Sequence, residues 1–184
     1  MNDAPQTFMV DVDVDEHERD NHQVIWTHLP IGAHGETLAI TTHNSDEIDL
    51  SEHEIGDTGM AVLCANLSTT AVRTLDLDSN ALTYRGEMTL ATALGLDAAP
   101  HLVHLDLMCN SIGSEGAQAL ARAMSMSRLP ELQYLDLSGN GIGDAGAVAI
   151  ARALANVRIK LQHLNLGTNG IDDAGCAALS SLLF

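Results

Sequence analysis

The stretch LQYLDLSGNGI, residues 132–142, recurs down the chain, and this recurrence limits the possible folds more than any bulk property does. Leu132, Leu135 and Leu137 alternate with Gln133, Tyr134 and Asp136 at a strand-like period. Gly139-Asn140-Gly141 then turns the chain, and IGDAGAVAIARAL follows with Ala147, Ile150, Ala151 and Leu154 on one helical face. Strand, turn and helix make one unit. Further copies begin at Val72 (VRTLDLDSNAL), Leu102 (LVHLDLMCNSI) and Leu161 (LQHLNLGTNGI), with a weaker one, EIDLSEHEI, over residues 47–55.

The turn asparagine falls at Asn80, Asn110, Asn140 and Asn169, spacings of 30, 30 and 29 residues, with His53 in its place 27 residues earlier. The helices keep step: Gly59, Gly86, Gly116, Gly146, Gly175; then Leu63, Leu90, Leu120, Ile150, Leu179; then Leu67, Leu94, Met124, Leu154, Leu183. A period in this range carrying LxxLxLxxN marks a leucine-rich repeat. LDLSGNGIGDAGAVAIARAL resembles the long, helix-bearing repeat of the ribonuclease-inhibitor-like subfamily, shared with Ran GTPase-activating proteins and NOD-like receptor repeat domains. The resemblance spans roughly residues 48–184 and implies an α/β leucine-rich-repeat solenoid, a right-handed β-α superhelix in an open arc with a concave parallel sheet and convex helices. It implies no single function, because those relatives do unrelated jobs on one scaffold.

The chain of 184 residues, 46% of them hydrophobic, is one domain's length and can fill a continuous solenoid core. No apolar run reaches the ~18 residues of a membrane span, and the acidic N-terminus has the wrong charge for a signal or transit peptide. A cytoplasmic location is expected, with nucleus and cytoskeleton left open. Cys64, Cys109 and Cys176 lack metal or redox spacing and read as small core residues of a reducing compartment. The net charge of −17 is uneven: residues 1–60 hold 14 Asp or Glu against Arg19 alone, and residues 61–184 hold 11 against 7 Lys or Arg. Such a balance repels phosphate backbones and anionic lipids, so nucleic-acid and membrane partners are disfavoured and a basic protein partner is expected.

Residues 1–20 form an acidic N-terminal segment with two readings. One is a cap strand with Phe8, Val10, Val12 and Val14 facing inward; the other is a tail that orders only on a partner. Four apolar residues on one face favour the cap. Residues 21–46 read as a degenerate capping repeat, with a short strand at Val24 to Trp26 and with Ile31, Gly35 and Leu38 in the helix-side columns. Five clear repeats then occupy residues 47–184.

Several columns have plain structural readings. The turn asparagines can satisfy backbone groups of the adjacent coil, giving a continuous ladder. Asp57, Ser114, Asp144 and Asp173 stand where a side-chain oxygen would cap each helix. The glycine column two residues later implies a helix packed tightly over its strand, and Pro100 and Pro130 read as ending the preceding helices.

Function is expected on the concave sheet, where three columns face solvent: Glu47, Thr74, His104, Tyr134, His163; Asp49, Asp76, Asp106, Asp136, Asn165; and Ser51, Asp78, Met108, Ser138, Gly167. Parallel strands lie ~4.8 Å apart, so stacked carboxylates should raise one another's pKa. The column is either an acidic strip that docks Lys or Arg side chains, or a common consensus residue of the repeat. His104, Tyr134 and His163 form a candidate hot-spot row beside it. The candidate partner-binding set is therefore Asp49, Asp76, Asp78, His104, Asp106, Met108, Tyr134, Asp136, His163 and Asn165.

Chemistry other than docking finds little support. Two histidines separated by a repeat would stand ~10 Å apart, too far to share a metal ion. The six histidines between His17 and His53 have no HxxxH or HExxH spacing, and GxSxG, GxxxxGK[ST] and Cys-His pairings are absent. No metal, cofactor or catalytic activity is expected. The leading expectation is a non-catalytic interaction module or scaffold; the alternative is a regulator of an enzyme, such as a GTPase-activating protein or a ribonuclease-inhibitor-like inhibitor. The chain departs from both: it has five clear repeats, three Cys and one Trp against the long, Cys- and Trp-rich inhibitors, and no position matching a GTPase-activating residue. Its C-terminal SSLLF lacks a polar capping repeat, so that end is expected to meet a second subunit or a partner, or to belong to a longer array.

Overall fold

A computed structural model describes residues 7–10, 27–31, 36–40, 46–68, 71–126, 128–156, 159 and 161–183, with side chains from residue 46 onward. Five short parallel strands lie in chain order in one sheet: β4 (Glu47–Asp49), β5 (Thr74–Asp76), β6 (His104–Asp106), β7 (Tyr134–Asp136) and β8 (His163–Asn165). Each is followed by a helix: α1 (Gly56–Leu67), α2 (Tyr84–Gly95), α3 (Gly113–Ser125), α4 (Gly143–Asn156) and α5 (Asp173–Ser180), the last leading into a short 3-10 turn. This is the α/β leucine-rich-repeat solenoid that the periodicity implies.

Strand register is set by the leucines. Ile48, Leu75, Leu105, Leu135 and Leu164 pair in one row, and the first four are buried. The ladder runs on through the turns, where Leu77 N–H donates to Asp106 C=O at 2.9 Å and Cys109 N–H to Ser138 C=O at 2.9 Å. Leu90, Leu120 and Ile150 close the core from the helix side and are fully buried. A three-residue slip would move these leucines off the core, so pattern and register enforce each other.

The asparagine ladder forms as expected. Asn110 Nδ2 donates to Leu77, Leu107 and Met108 carbonyls at 2.9–3.1 Å, and its Oδ1 accepts from Asn80 and Leu82 N–H at 3.0 and 2.9 Å. Asn140 and Asn169 repeat the pattern one and two coils on. Each buried amide thereby satisfies those backbone groups of two coils that the ladder between turns leaves over.

Three local expectations are corrected. The Asp57 column does not cap its own helices: Asp57 is the second residue of α1, and Asp57 Oδ1 instead accepts from Thr83 and Gly86 N–H of the next repeat, both at 2.9 Å. Asp144 likewise accepts from Asp172 and Gly175 N–H at 2.8 and 2.9 Å. The cap is therefore an inter-repeat staple, and it also explains the glycines. A Cβ on Gly175 would stand 2.7 Å from Asp144 Oδ1 and 2.4 Å from Ile171 Cγ2, so the crowding comes from the preceding helix and the repeat's own isoleucine, not from the strand. Pro100 and Pro130 lie in turns well after α2 and α3 have ended at Gly95 and Ser125; they shape the approach to the strand rather than stop the helix.

Before the solenoid stand β1 (Thr7–Val10), β2 (Thr27–Ile31) and β3 (Glu36–Ile40), in the order β1-β3-β2, with β1 parallel and β2 antiparallel to β3. Phe8 and Val10 lie on β1, whereas Val12, Val14, Val24 to Trp26 and Gly35 fall outside the described residues. Ile31 and Leu38, expected in helix-side columns, lie on strands instead; β-branched Thr37 and Ile40 flanking Leu38 suit a strand better than a helix. β2 packs beside α1, the first helix of the solenoid.

Candidate functional site

The three columns assemble in register on the sheet, but they are not all solvent-facing as expected: Asp136 is buried, only 4% exposed. Asp49 pairs with Asp76, Asp76 with Asp106, Asp106 with Asp136 and Asp136 with Asn165, a single row across five strands. Each of these side chains also has a local task. Its Oδ1 accepts the backbone N–H two residues on: Ser51, Asp78, Met108, Ser138 and Gly167, at 2.8–3.0 Å. This Asx-type bond closes the turn where the strand ends. Periodicity alone did not reveal it; the signal available was a short acceptor side chain two residues before a tight turn in every copy.

The outer oxygens divide the row. At Asp136, Oδ2 accepts Asn165 Nδ2 at 2.7 Å and Tyr134 Oη at 3.4 Å, while Ser138 Oγ donates to Oδ1 at 2.6 Å. Burial pushes the Asp136 carboxyl up, but the Ser138 hydroxyl and N–H, Asn165 and Tyr134 together outweigh it and hold it below the usual value. Asp76 and Asp106 have a single Asx bond each. Burial raises both, and like charges add to it: Asp49 and Asp78 at Asp76; Asp136, Asp76 and Asp78 at Asp106. The expected mutual elevation holds at Asp76 and Asp106 and fails at Asp136, because donors surround that carboxylate.

Beside the carboxylates, His104, Tyr134 and His163 stack face to face, with centroids 4.0 and 4.6 Å apart and planes within 8° and 5°. Strand register places the rings one above another, and the narrow strand spacing holds them near van der Waals contact. Met108 stands in the third column with 37% of its surface exposed, and Asp78 Oδ1 accepts the Ser79 hydroxyl at 3.0 Å. All ten candidate residues thus share one face, as three in-register columns. Among the described residues, no group of three or more His, Cys, Asp or Glu is placed to hold a metal ion, and no helix is long and apolar enough to cross a membrane.

Two features escaped the sequence reading. Glu87 is fully buried and neither carboxyl oxygen has a partner among the described residues, so burial holds its carboxyl well above the usual range. It occupies the column of Met60, Ala117, Ala147 and Cys176, and a charge in an apolar column was the available signal. It also helps push the nearby Cys64 thiol, chiefly raised by burial, to about 12, which keeps that sulfur protonated and unreactive. The second is a run of exposed apolar side chains, Tyr84 and Met88 on α2 and Leu96 just past its end, at a spacing of four or eight residues.

Strands, turn ladder and helices together define a leucine-rich-repeat protein. The Leucine Rich repeat family profile matches residues 47–64, 98–121, 129–151 and 159–180, four of the five repeats. Repeats of this family are in general protein-interaction modules. No curated protein matches the chain.

Proposed function

We propose that this protein is a non-catalytic docking module whose concave sheet takes a basic segment of a partner protein. The observation that carries the reading is the pairing of the His104–Tyr134–His163 stack with two carboxylates, Asp76 and Asp106, whose outer oxygens have no partner among the described residues. A flat ring stack offers apolar area at little conformational cost, and a guanidinium or ammonium beside it would offset the burial, and with it the like-charge repulsion, that raise both carboxyls. The ribonuclease-inhibitor-like subfamily, suggested by helices of 12–14 residues in the inner repeats, is consistent with such use of the inner face.

The experiment is affinity capture from native extract with the intact chain beside Asp76→Asn/Asp106→Asn, followed by calorimetry of the captured partner with each chain at low and high salt. A basic partner lost from the variant, with salt-sensitive binding to the intact chain, is the expected result; identical captures would remove the concave strip from the account. Asp136 is unsuited to this test, because its loss would also disturb Ser138 and Asn165.

A further contact is proposed at the last repeat, where Leu161, Leu164 and Leu166 are only partly buried while Leu132, Leu135 and Leu137 are wholly so. A second copy, the partner or a further repeat of a longer array would cover this edge. Sedimentation showing a monomer at micromolar concentration, alone and with the partner bound elsewhere, would sink that part of the proposal.

A further inference from the structure

The described residues expose five large hydrophobic side chains, and four of them gather on the convex side: Tyr84 (38% exposed) and Met88 (47%) on α2, Leu96 (78%) just past its end, and Met126 (64%) just past the end of α3. Tyr84, Met88 and Thr92 follow one another at intervals of four residues on α2, a row inclined to the helix axis that Leu96 continues just past the helix end. The threonines on this side add to its apolar character. Thr89 Oγ1 donates to Arg85 C=O at 2.9 Å and Thr92 Oγ1 to Met88 C=O at 2.7 Å, which turns each hydroxyl back onto the helix.

A groove of about 820 Å³ runs between α1 and α2, and another of about 290 Å³ between α2 and α3; Met88, Thr92 and Leu96 line both. The inner side of α2 is already committed to the core through Leu90, Ala91 and Leu94. The charged residues lining the two grooves are both cations: Arg85 in the first, Arg122 in the second. Neither makes an ion pair among the described residues; Arg85 instead lies 5.7 Å from the Tyr84 ring centroid and donates to the Tyr84 hydroxyl at 3.2 Å. In a chain of net charge −17, two unpaired cations flanking its largest exposed apolar ridge are a local reversal of sign. The second repeat is also the one that the family profile passes over, between residues 64 and 98.

We propose that the α2 ridge is a second docking surface, for an amphipathic helix of a partner protein that carries apolar anchors flanked by carboxylates. The anchors enter the grooves on either side of Met88, and the carboxylates meet Arg85 and Arg122. This is helix-in-groove recognition on the convex side, opposite in charge preference to the concave face and independent of it.

The test uses the full chain and two labelled synthetic helical peptides with the same leucine and methionine anchors, one flanked by Glu and one by Lys, read by fluorescence anisotropy. The Glu peptide should bind about tenfold more tightly than the Lys peptide, and Met88→Gln/Leu96→Gln should weaken it by about tenfold, as loss of central anchors does. Arg85→Glu/Arg122→Glu should reverse the preference, and Asp76→Asn/Asp106→Asn should leave it unchanged. All substituted positions are on the surface, and unaltered circular dichroism confirms folding. Equal binding of the two peptides, binding of neither, or a preference that survives the arginine reversal would overturn the proposal. So would a concentration-dependent dimer, or adsorption to phosphatidylglycerol vesicles, that is lost in Met88→Gln/Leu96→Gln, since the ridge would then belong to a second copy or to lipid.

Discussion

Asp106 and Asp136 are neighbours in one row of one sheet, each closing the turn behind it through the same Asx bond, yet their carboxyls are displaced in opposite directions. The difference lies in what the adjoining coil offers. Asp106 lies between two carboxylates, Asp76 and Asp136, whereas Asp136 has a carboxylate on one side only and meets Asn165, a donor, on the other. Ser138 adds a hydroxyl where Met108 has a thioether. Register thus fixes position without fixing chemistry: part of the strip is closed into structure, and at Asp76 and Asp106 the outer oxygens have no partner among the described residues.

The largest test of that distinction uses the most completely satisfied polar group against an open one. Asn140→Ala would leave Ile112 N–H without its buried partner and take one donor each from the Leu107, Leu137 and Ser138 carbonyls, and a loss of about 2–4 kcal/mol is expected. Asp106→Ala gives up one Asx bond at the surface, and a loss of about 0.5 kcal/mol is expected. Urea unfolding of both variants compares them directly; near-equal midpoints would erase the distinction between ladder and strip.

Glu87 is the opposite extreme, a carboxyl with no donor among the described residues. Glu87→Met, which restores the residue type of Met60 in the same column, should stabilise by about 1–3 kcal/mol at neutral pH, because an unsatisfied polar group leaves the core. The pH dependence follows from the direction of the shift. The native state keeps a proton that the unfolded chain releases above 4.5, so stability falls as pH rises from there toward the elevated folded pKa. The variant should flatten that slope, and denaturation at several pH values between 4 and 8 would show whether it does.

Within the strip itself, Asp136→Ala should cost about 1–2 kcal/mol, several times the loss at Asp106, since bonds to Ser138 and Asn165 disappear together. Its contribution is present above the ordinary value of 3.8 and is lost as pH falls through the depressed folded pKa, so the two alanine variants should converge in stability at strongly acid pH. Thermal denaturation across that range is the measurement; a constant gap would mean that neutral packing, not charge-assisted bonding, separates them.

What the sequence made legible follows the physics of repetition. Leu105 or Asn110 obeys a rule that each coil imposes on the next, so its place and its role could be read from the period. All ten candidate site residues could be assigned to one face for the same reason. Interactions between coils were harder to read: Asp57 and Asp144 looked like caps of their own helices because a column shows spacing, not which neighbour a carboxylate turns toward. The split between Asp106 and Asp136 needed the side chains of β8, and the α2 ridge was hidden because Met88 and Leu96 are ordinary helix residues until their exposure is known. Leu38 was drawn into a helical column by an echo of the repeat, IGAHGETLAI against IGSEGAQAL, where pairing with β1 and β2 decided for a strand.

The smallest expected effect asks which donor governs Asp136. Tyr134 contributes through a long hydroxyl contact of 3.4 Å, against 2.6 and 2.8 Å from Ser138 and 2.7 Å from Asn165. Bond strength falls steeply with length and angle, so Tyr134→Phe should change stability by less than about 0.5 kcal/mol and leave the Asp136 carboxyl depressed. The ring, and with it the stack between His104 and His163, is retained in that variant. Carbon-13 titration of the side-chain carboxyls would resolve the matter. If Asp136 rose in Tyr134→Phe to titrate with Asp106, the hydroxyl would be the decisive donor, and the contrast between the two halves of the strip would rest on the aromatic column rather than on Ser138 and Asn165.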